Sequence, residues 1–201
     1  MKRFFILPLF LFQGCLYVLE EARTLPEGRL LISGNATKLN YLSINKDEGA
    51  FYSKRNIITL VSLRYGLPGR KEVTFRLLPY GMEAGLKQTF WHNTRFWLSA
   101  KPALLYAPLF FHTPFAVSLF LSGELYGKNQ GVYLSGGMRY GVGSNSNIFT
   151  ETAGLGFYMK GKHALIRGEI GYAEERVTEY SHSAEATFWY TGISLGIFIP
   201  L

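Results

Sequence analysis

The chain ends on the stretch Trp189-Tyr-Thr-Gly-Ile-Ser-Leu-Gly-Ile-Phe-Ile-Pro-Leu201, and this stretch decides the fold. Its odd positions are mostly large and apolar, whereas its even positions are rich in small residues. Alternation with a period of two predicts a β-strand that has one apolar face. Because the termini of soluble domains tend to be loose and polar, we expect this strand to be held by neighbouring strands on both of its edges.

The same alternation recurs along the chain in about ten segments that are separated by turn residues. These segments are 29–43, 56–66, 71–78, 81–91, 95–106, 115–126, 132–142, 149–159, 162–173 and 185–199. Four connections are tight, at 67–70, 92–94, 127–131 and 160–161. Four others alternate with them and are longer, at 44–55, 107–114, 143–148 and 174–184. The order of short and long connections predicts a meander of antiparallel strands.

One connection, Pro79-Tyr80, leaves two interpretations open. The face that carries charges falls on even residues before it, as at Arg76, and on odd residues after it, as at Glu83. A tight turn explains this change and gives ten strands, whereas a bulge within one long strand gives nine. With a turn, Arg76 lies directly across from Glu83, and we expect the two to form an ion pair.

In seven of these segments, within 57–66, 73–78, 80–90, 96–106, 115–125, 132–142 and 164–172, the charged residues of the middle of the strand lie on the face opposite the apolar one. Nine of them follow this rule, namely Arg64, Arg76, Glu83, Lys87, Lys101, Glu124, Arg139, Arg167 and Glu169. The same face carries many Ser and Gly residues, which suit the crowded interior of a narrow barrel. A charge that faces the middle of a bilayer would cost about 2–4 kcal/mol. The pattern therefore predicts an all-β fold, a closed antiparallel up-and-down transmembrane β-barrel of about ten strands, with eight to twelve compatible.

Residues 29–201 resemble small bacterial outer-membrane β-barrels, in their alternating segments, their order of turns and loops, and their apolar last strand. The last strand resembles the C-terminal assembly signal of that class, with Leu201 where Phe is usual. The resemblance implies an outer-membrane location, contact with outer-membrane lipid, and insertion by the barrel-assembly machinery through the C-terminal strand. It also implies that this strand closes on the one beginning near Arg29 and turns its apolar face, Ile193, Leu195, Ile197 and Ile199, to lipid.

The N-terminal segment is typical of an export signal. Lys2 and Arg3 precede an apolar run over 4–12, which is too short to span a bilayer, so residues 1–14 are predicted to be a signal peptide. The pair Gly14-Cys15 resembles a bacterial lipoprotein signal, which implies cleavage before Cys15 and lipidation of its thiol. We expect residues 15–28 to form a periplasmic tether and 29–201 to form the barrel.

Several function classes have little support in the sequence. The net charge is +7, but the basic residues are scattered singly, so no nucleic-acid partner is predicted. One cysteine excludes an internal disulfide. None of the four histidines, His92, His112, His163 and His182, has a partner at metal-ligand spacing, and we predict no catalytic, metal or cofactor site. His182 and Ser183 resemble the pair in lipid A deacylases, but adjacent residues on a strand point to opposite faces.

The first functional hypothesis is a non-enzymatic outer-membrane barrel with a plugged or narrow lumen and a structural or surface-interaction role. Three alternatives stay open. One is a small channel whose lumen has a net positive charge, and another is a lipid A-modifying barrel enzyme. The third is a soluble periplasmic barrel that binds an apolar ligand inside, which would reverse the faces and place Arg64, Arg139 and Glu169 in water.

Overall fold

A computed structural model describes residues 22–46, 57–78, 81–106, 115–126, 129–142, 146–179 and 182–200. These residues form ten strands: β1 (Arg29–Lys46), β2 (Ile57–Leu67), β3 (Lys71–Leu78), β4 (Gly81–His92), β5 (Phe96–Tyr106), β6 (Phe115–Tyr126), β7 (Gln130–Val142), β8 (Ser146–Lys160), β9 (Ala164–Glu179) and β10 (His182–Pro200). Within the described ranges, no helix is long and apolar enough to cross a membrane.

Every strand pairs antiparallel with its neighbours in sequence, and β10 pairs with β1 to close the barrel. Leu30 lies opposite Ile199 and Asn40 opposite Trp189, so the last strand closes on the first as predicted. We call the end of the barrel where β1 starts and β10 finishes the terminal end, and the opposite end the far end. The closed ring leaves no strand edge unpaired, which is what a β-structure needs where no water is present.

The strands are staggered around the barrel. Following paired residues once around the ring from Leu31 leads back to Ile44, thirteen positions along β1. A bulge between Tyr41 and Ser43 accounts for one of these positions. A stagger of this size tilts the strands by about 35–45° from the barrel axis.

The predicted ten strands are confirmed, including the two that flank Pro79-Tyr80. β3 ends at Leu78, β4 begins at Gly81, and Arg76 pairs with Glu83 across the two strands. The interpretation with nine strands and a bulge is therefore wrong. A turn reverses the chain here, and this reversal is why the inward phase changes from even to odd residues.

The predicted long loop at 174–184 is wrong. β9 continues to Glu179 and β10 begins at His182, so most of this stretch is paired strand. The alternation continues there, with Glu175 and Val177 buried and Arg176 exposed. In this region the outer face is polar and the inner face carries Val177, Ala184 and Ala186, which is the reverse of the arrangement in the rest of the barrel. The apolar outer face that marks the other strands is therefore missing from the sequence here. The connection predicted at 143–148 is shorter than expected, because β8 already begins at Ser146.

The exposed face of the barrel is apolar and the enclosed face is polar. Ile193, Leu195 and Ile197 are 53–63 % exposed, whereas the charged side chains of the interior are buried. We use the name apolar belt for the exposed apolar side chains of the outer face, which include Val61, Leu77, Leu104, Val117, Leu119, Leu121, Leu125, Val132, Met138, Leu155, Phe157, Met159, Ile166, Ile170, Ile193, Leu195 and Ile197. This arrangement is the inverse of a soluble domain.

Candidate functional site

The structure places all nine predicted lumen charges inside the barrel. None is more than 5 % exposed, and Arg64, Glu124 and Arg167 are at 1 % or less. Two further carboxylates are buried with them, Glu72 and Glu175. Glu72 lies on the same face of β3 as Thr74 and Arg76, two residues before Thr74. This alternation is the one feature of the sequence that predicts its inward position. Glu175 lies in the stretch that was wrongly predicted to be a loop.

Five buried carboxylates therefore face six buried cations among the described residues. This near balance differs from the net positive lumen on which the channel alternative depended. Buried charges are costly unless they are paired and hydrogen-bonded. The interior satisfies this condition through separate clusters of polar side chains.

The first cluster surrounds Glu83 with three cations from three other strands. Arg76 Nη1 lies 3.3 Å from Glu83 Oε1, and Lys101 Nζ lies 3.2 Å from the same oxygen. Arg139 Nη2 donates to the second oxygen, Oε2. The predicted ion pair between Arg76 and Glu83 is confirmed. Because the partners come from β3, β5 and β7, the cluster links strands of the barrel that include the non-neighbours β4 and β7.

The second cluster lies nearer the terminal end and is centred on Glu72. Arg64 Nε lies 2.5 Å from Glu72 Oε1 and Arg64 Nη2 lies 2.8 Å from Oε2, so the guanidinium binds the carboxylate with two parallel bonds. Lys87 Nζ lies 3.4 Å from Glu72 Oε1. Bidentate pairs of this kind are the stronger class of charged hydrogen bond.

A third group of polar residues lines the wall formed by β8, β9, β10 and β1. Tyr190 donates its hydroxyl hydrogen to Glu169 Oε1 at 2.7 Å. Arg167 Nη2 donates to Ser194 Oγ at 3.0 Å and to Ser33 Oγ at 3.2 Å, which links three adjacent strands. Small residues on this wall leave space for the large side chains, since a Cβ at Gly154 or Gly171 would lie within 2.6 Å of Tyr190.

Residues Ala22–Leu25, which we call the plug, lie inside the terminal end of the barrel. Ala22, Thr24 and Leu25 are at most 6 % exposed. Residues 15–28 are predicted to be a periplasmic tether, and the structure describes 22–28 of that stretch, with Ala22, Thr24 and Leu25 inside the barrel. The segment reads as a linker because its hydrogen bonds to the lumen are made by its backbone, which carries no signal in the sequence.

The backbone of the plug bonds to the buried charges. Arg23 N donates to Glu124 Oε2 at 2.9 Å, and Leu25 N donates to Glu72 Oε2 at 2.8 Å. Lys87 Nζ donates to the carbonyl oxygen of Arg23 at 3.3 Å. Carboxylates from β3 and β6 and a cation from β4 therefore hold the segment from several sides of the lumen.

Apolar and steric contacts also fix the plug. Its Leu25 packs into a buried cluster with Leu31, Tyr133, Tyr158, Leu165 and Phe198. Just after the plug, Gly28 N donates to Gly66 O at 3.1 Å. A Cβ at Gly66 would lie 2.0 Å from the carbonyl oxygen of Pro26, so only glycine allows this approach. The terminal end is filled as a result.

The remaining predictions concern metal ligands, the N-terminal signal and the long connections. Among the described residues, no group of His, Cys, Asp or Glu is arranged to hold a metal ion. Cys15, the signal peptide over 1–14 and His112 lie outside the described residues, as does the side chain of His182. Most of the stretch 44–55 and all of 107–114 lie outside them too.

No family model matches the chain, and a search of curated proteins found no significant match. The fold is similar to three bacterial outer-membrane β-barrel proteins of known structure. The outer membrane protein OprG from Pseudomonas aeruginosa is 11 % identical, with 90 % of this chain and 100 % of that chain covered and a TM-score of 0.31. Ail, the attachment invasion locus protein of Yersinia pestis, is 13 % identical, with coverages of 84 % and 99 % and a TM-score of 0.26. Neisserial surface protein A (NspA) is 8 % identical, with coverages of 87 % and 98 % and a TM-score of 0.28.

Proposed function

We propose that this chain is a bacterial outer-membrane β-barrel with a closed lumen and a structural or surface-interaction role. The apolar belt is the observation that carries the proposal. On β10 it runs from Trp189 to Ile199, about ten residues, which at about 3.4 Å per residue and a tilt of about 40° cover roughly 26 Å along the barrel axis. The apolar band of outer-membrane barrels is about 25 Å tall.

The far boundary of the belt supports a position in a bilayer. Tyr172 and Trp189 pack edge to face with their ring centroids 5.7 Å apart, and both face outward. Immediately beyond them lies an exposed charged group, in which Arg176 contacts Glu174 at 2.5 Å and Glu185 at 2.6 Å. A girdle of aromatic residues followed by charges is typical of a membrane–water interface.

The proposed orientation follows from the connections. Short turns in outer-membrane barrels face the periplasm and longer loops face outward. The connections at the terminal end are short, so we place that end in the periplasm and the far end outside. The stretches 47–56 and 107–114 then connect strands on the outer side and are the surface offered to partners. We further propose that residues 1–14 are a signal peptide, that Cys15 is lipidated, and that the assembly machinery recognises β10.

The plug favours a closed barrel over an open channel. Ala22–Leu25 occupy the periplasmic end of the lumen, and the Glu83 cluster spans the barrel above them. The soluble alternative is contradicted by the structure, because it requires Arg64, Arg139 and Glu169 to lie in water and all three are buried.

Fractionation of cells that produce the full chain tests the proposal. We expect the protein to stay in the membrane fraction in high salt and at alkaline pH, to dissolve in detergent, and to migrate differently on a gel before and after boiling. Extraction by salt alone would contradict the membrane location. Mass spectrometry of the mature N-terminus tests the anchor separately, because an unmodified first residue other than Cys15 would exclude lipidation.

A further inference from the structure

The outer wall near the terminal end contains a groove of about 450 Å³. Its apolar floor is formed by Leu125, Val132, Phe157 and Met159, and Arg95 and Gln130 lie at its edge with the wall residues Gly131 and Tyr158. The volume is in the range of ligand pockets, about 300–1,000 Å³. The four apolar side chains are 50–64 % exposed, so the groove opens on the outer face of the barrel and not into the lumen.

The strand register shows why the groove is continuous. Leu125 of β6 pairs with Val132 of β7, and Val132 pairs with Phe157 of β8. The floor therefore crosses three adjacent strands close to their ends at the terminal rim. It is amphiphilic as a whole, with apolar side chains toward the middle of the wall and a cation at the rim.

Arg95 is held in place by its turn and has a free charge. Asn93 Oδ1 accepts hydrogen bonds from the backbone N–H groups of Arg95 at 2.9 Å and Phe96 at 2.7 Å, which fixes the turn before β5. The side chain is exposed, and no carboxylate of the described residues forms an ion pair with it. An unpaired cation beside an apolar groove complements a ligand that joins an anionic group to an apolar chain.

The rest of the terminal rim has the same sign of charge. Among the described residues, exposed cations at this end are Arg29, Arg70, Lys71, Arg95 and Lys162, and the one exposed carboxylate is Glu27. In the far half of the barrel the exposed charges of the described residues include Lys38, Glu151 and Glu185, and Arg176 is already paired. Basic residues next to a membrane attract anionic lipids, by about a factor of five for each Lys or Arg.

We propose that this groove binds an anionic phospholipid of the leaflet at the terminal end, with its phosphate at Arg95 and an acyl chain along Leu125, Val132, Phe157 and Met159. The inference rests on the membrane location proposed above. Beyond that location, the inference assigns a specific lipid site to one side of the barrel, at the rim of its terminal end.

Tryptophan quenching in vesicles tests the site. Trp91 is 55 % exposed near the same rim, and its ring lies 5.7 Å from that of Phe96, which pairs with Leu125. A variant with Trp97→Phe and Trp189→Phe keeps Trp91 as the one reporter. The full barrel is inserted into phosphatidylcholine vesicles that contain a fixed fraction of either brominated phosphatidylglycerol or brominated phosphatidylcholine.

We expect brominated phosphatidylglycerol to quench Trp91 more strongly than brominated phosphatidylcholine at the same fraction. Arg95→Gln should lower this preference about fivefold, and Val132→Phe, which fills the floor and leaves the charge unchanged, should lower it too. Arg176→Gln removes a cation at the far end and is the matched control, which should leave the preference unchanged. Gel mobility before and after boiling checks that each variant is folded.

The outcomes separate the two proposals. If neither lipid quenches Trp91, nor Trp189 in a matched variant that retains only that tryptophan, the barrel is not in the bilayer and the proposed function fails. If both lipids quench Trp91 equally, the barrel is in the bilayer and the lipid site is overturned. A preference that survives unchanged in Arg95→Gln overturns the assignment to this groove.

Discussion

Neutralising Glu83 is expected to destabilise the barrel strongly. Its carboxylate is the common partner of Arg76, Lys101 and Arg139, and all four side chains are at most 4 % exposed. Glu83→Gln keeps the shape and removes the charge, so three cations lose their counter-charge inside the barrel. Breaking a buried pair by removing one partner costs about 3–5 kcal/mol. We expect a loss in the free energy of unfolding in that range.

Urea unfolding of the barrel in lipid vesicles, followed by tryptophan fluorescence, measures this loss. With an m-value of about 2 kcal/mol/M, the midpoint should fall by roughly 2 M urea while the m-value is unchanged. Glu27→Gln is the matched control, because Glu27 is exposed in the turn before β1 and the same substitution there should change stability by less than about 0.5 kcal/mol. A second substitution, Arg139→Met, in the Glu83→Gln background should restore part of the stability. A loss below about 1 kcal/mol for Glu83→Gln would refute the view that the three cations depend on this carboxylate.

Three further predictions concern the belt and the plug. Leu195→Arg places a cation in the middle of the apolar belt and should cost about 2–4 kcal/mol in vesicle unfolding, and a cost near zero would contradict the position of the bilayer. Gly66→Ala should displace the plug, because the new Cβ would lie 2.0 Å from the Pro26 carbonyl oxygen, and trypsin should then cleave the chain after Arg23 faster. Gly34→Ala is the control, because a Cβ there would have no atom within 4 Å. Equal cleavage rates in the two variants would contradict the steric argument. Deletion of 22–25 from the full chain should produce ion conductance in planar bilayers that the parent barrel lacks. A deletion variant without conductance would show that the charge clusters above the plug are sufficient to close the lumen.

The barrel and its inner face were predictable because a strand has a period of two and a bilayer penalises charge on one face only. Leu195 and Arg167 are in the predicted phase for this reason, and the pair of Arg76 with Glu83 follows from one turn. The same reasoning was wrong for residues 174–184, where the expected apolar outer face is absent. Beyond Trp189 the outer face of β9 and β10 is polar and the inner face carries Val177, Ala184 and Ala186, so the usual polarity of the two faces is reversed and the strands looked like a loop.

The groove at Arg95 and the plug were not predictable for a different reason. The groove depends on cross-strand register over three strands, which places Phe157 beside Val132 and Leu125 although it lies 25 residues after Val132 in sequence. The plug depends on backbone groups, as where the N–H of Leu25 bonds to Glu72. Every residue except proline has the same backbone N–H donor, so the pattern of side chains in the sequence does not predict which backbone groups form these bonds.

The contacts of the plug can be weighed against the cost of ordering its backbone. Four of its hydrogen bonds involve charged groups, at Glu124, Glu72, Lys87 and Arg64, and such bonds contribute about 1.5–3 kcal/mol each. Ordering the backbone of four residues costs about 1–2 kcal/mol each, which is of similar size. Release of the plug would also leave no carboxylate without a partner, because Glu72 keeps Arg64 and Glu124 keeps the hydroxyl of Tyr158 at 2.6 Å. Two further contacts act on the bonded side only, because Leu25 packs in a buried apolar cluster and Ser99 Oγ donates to the carbonyl oxygen of Ala22 at 2.6 Å. The balance of these contributions therefore favours the closed terminal end, although the wall does not need the plug to pair Glu72 and Glu124.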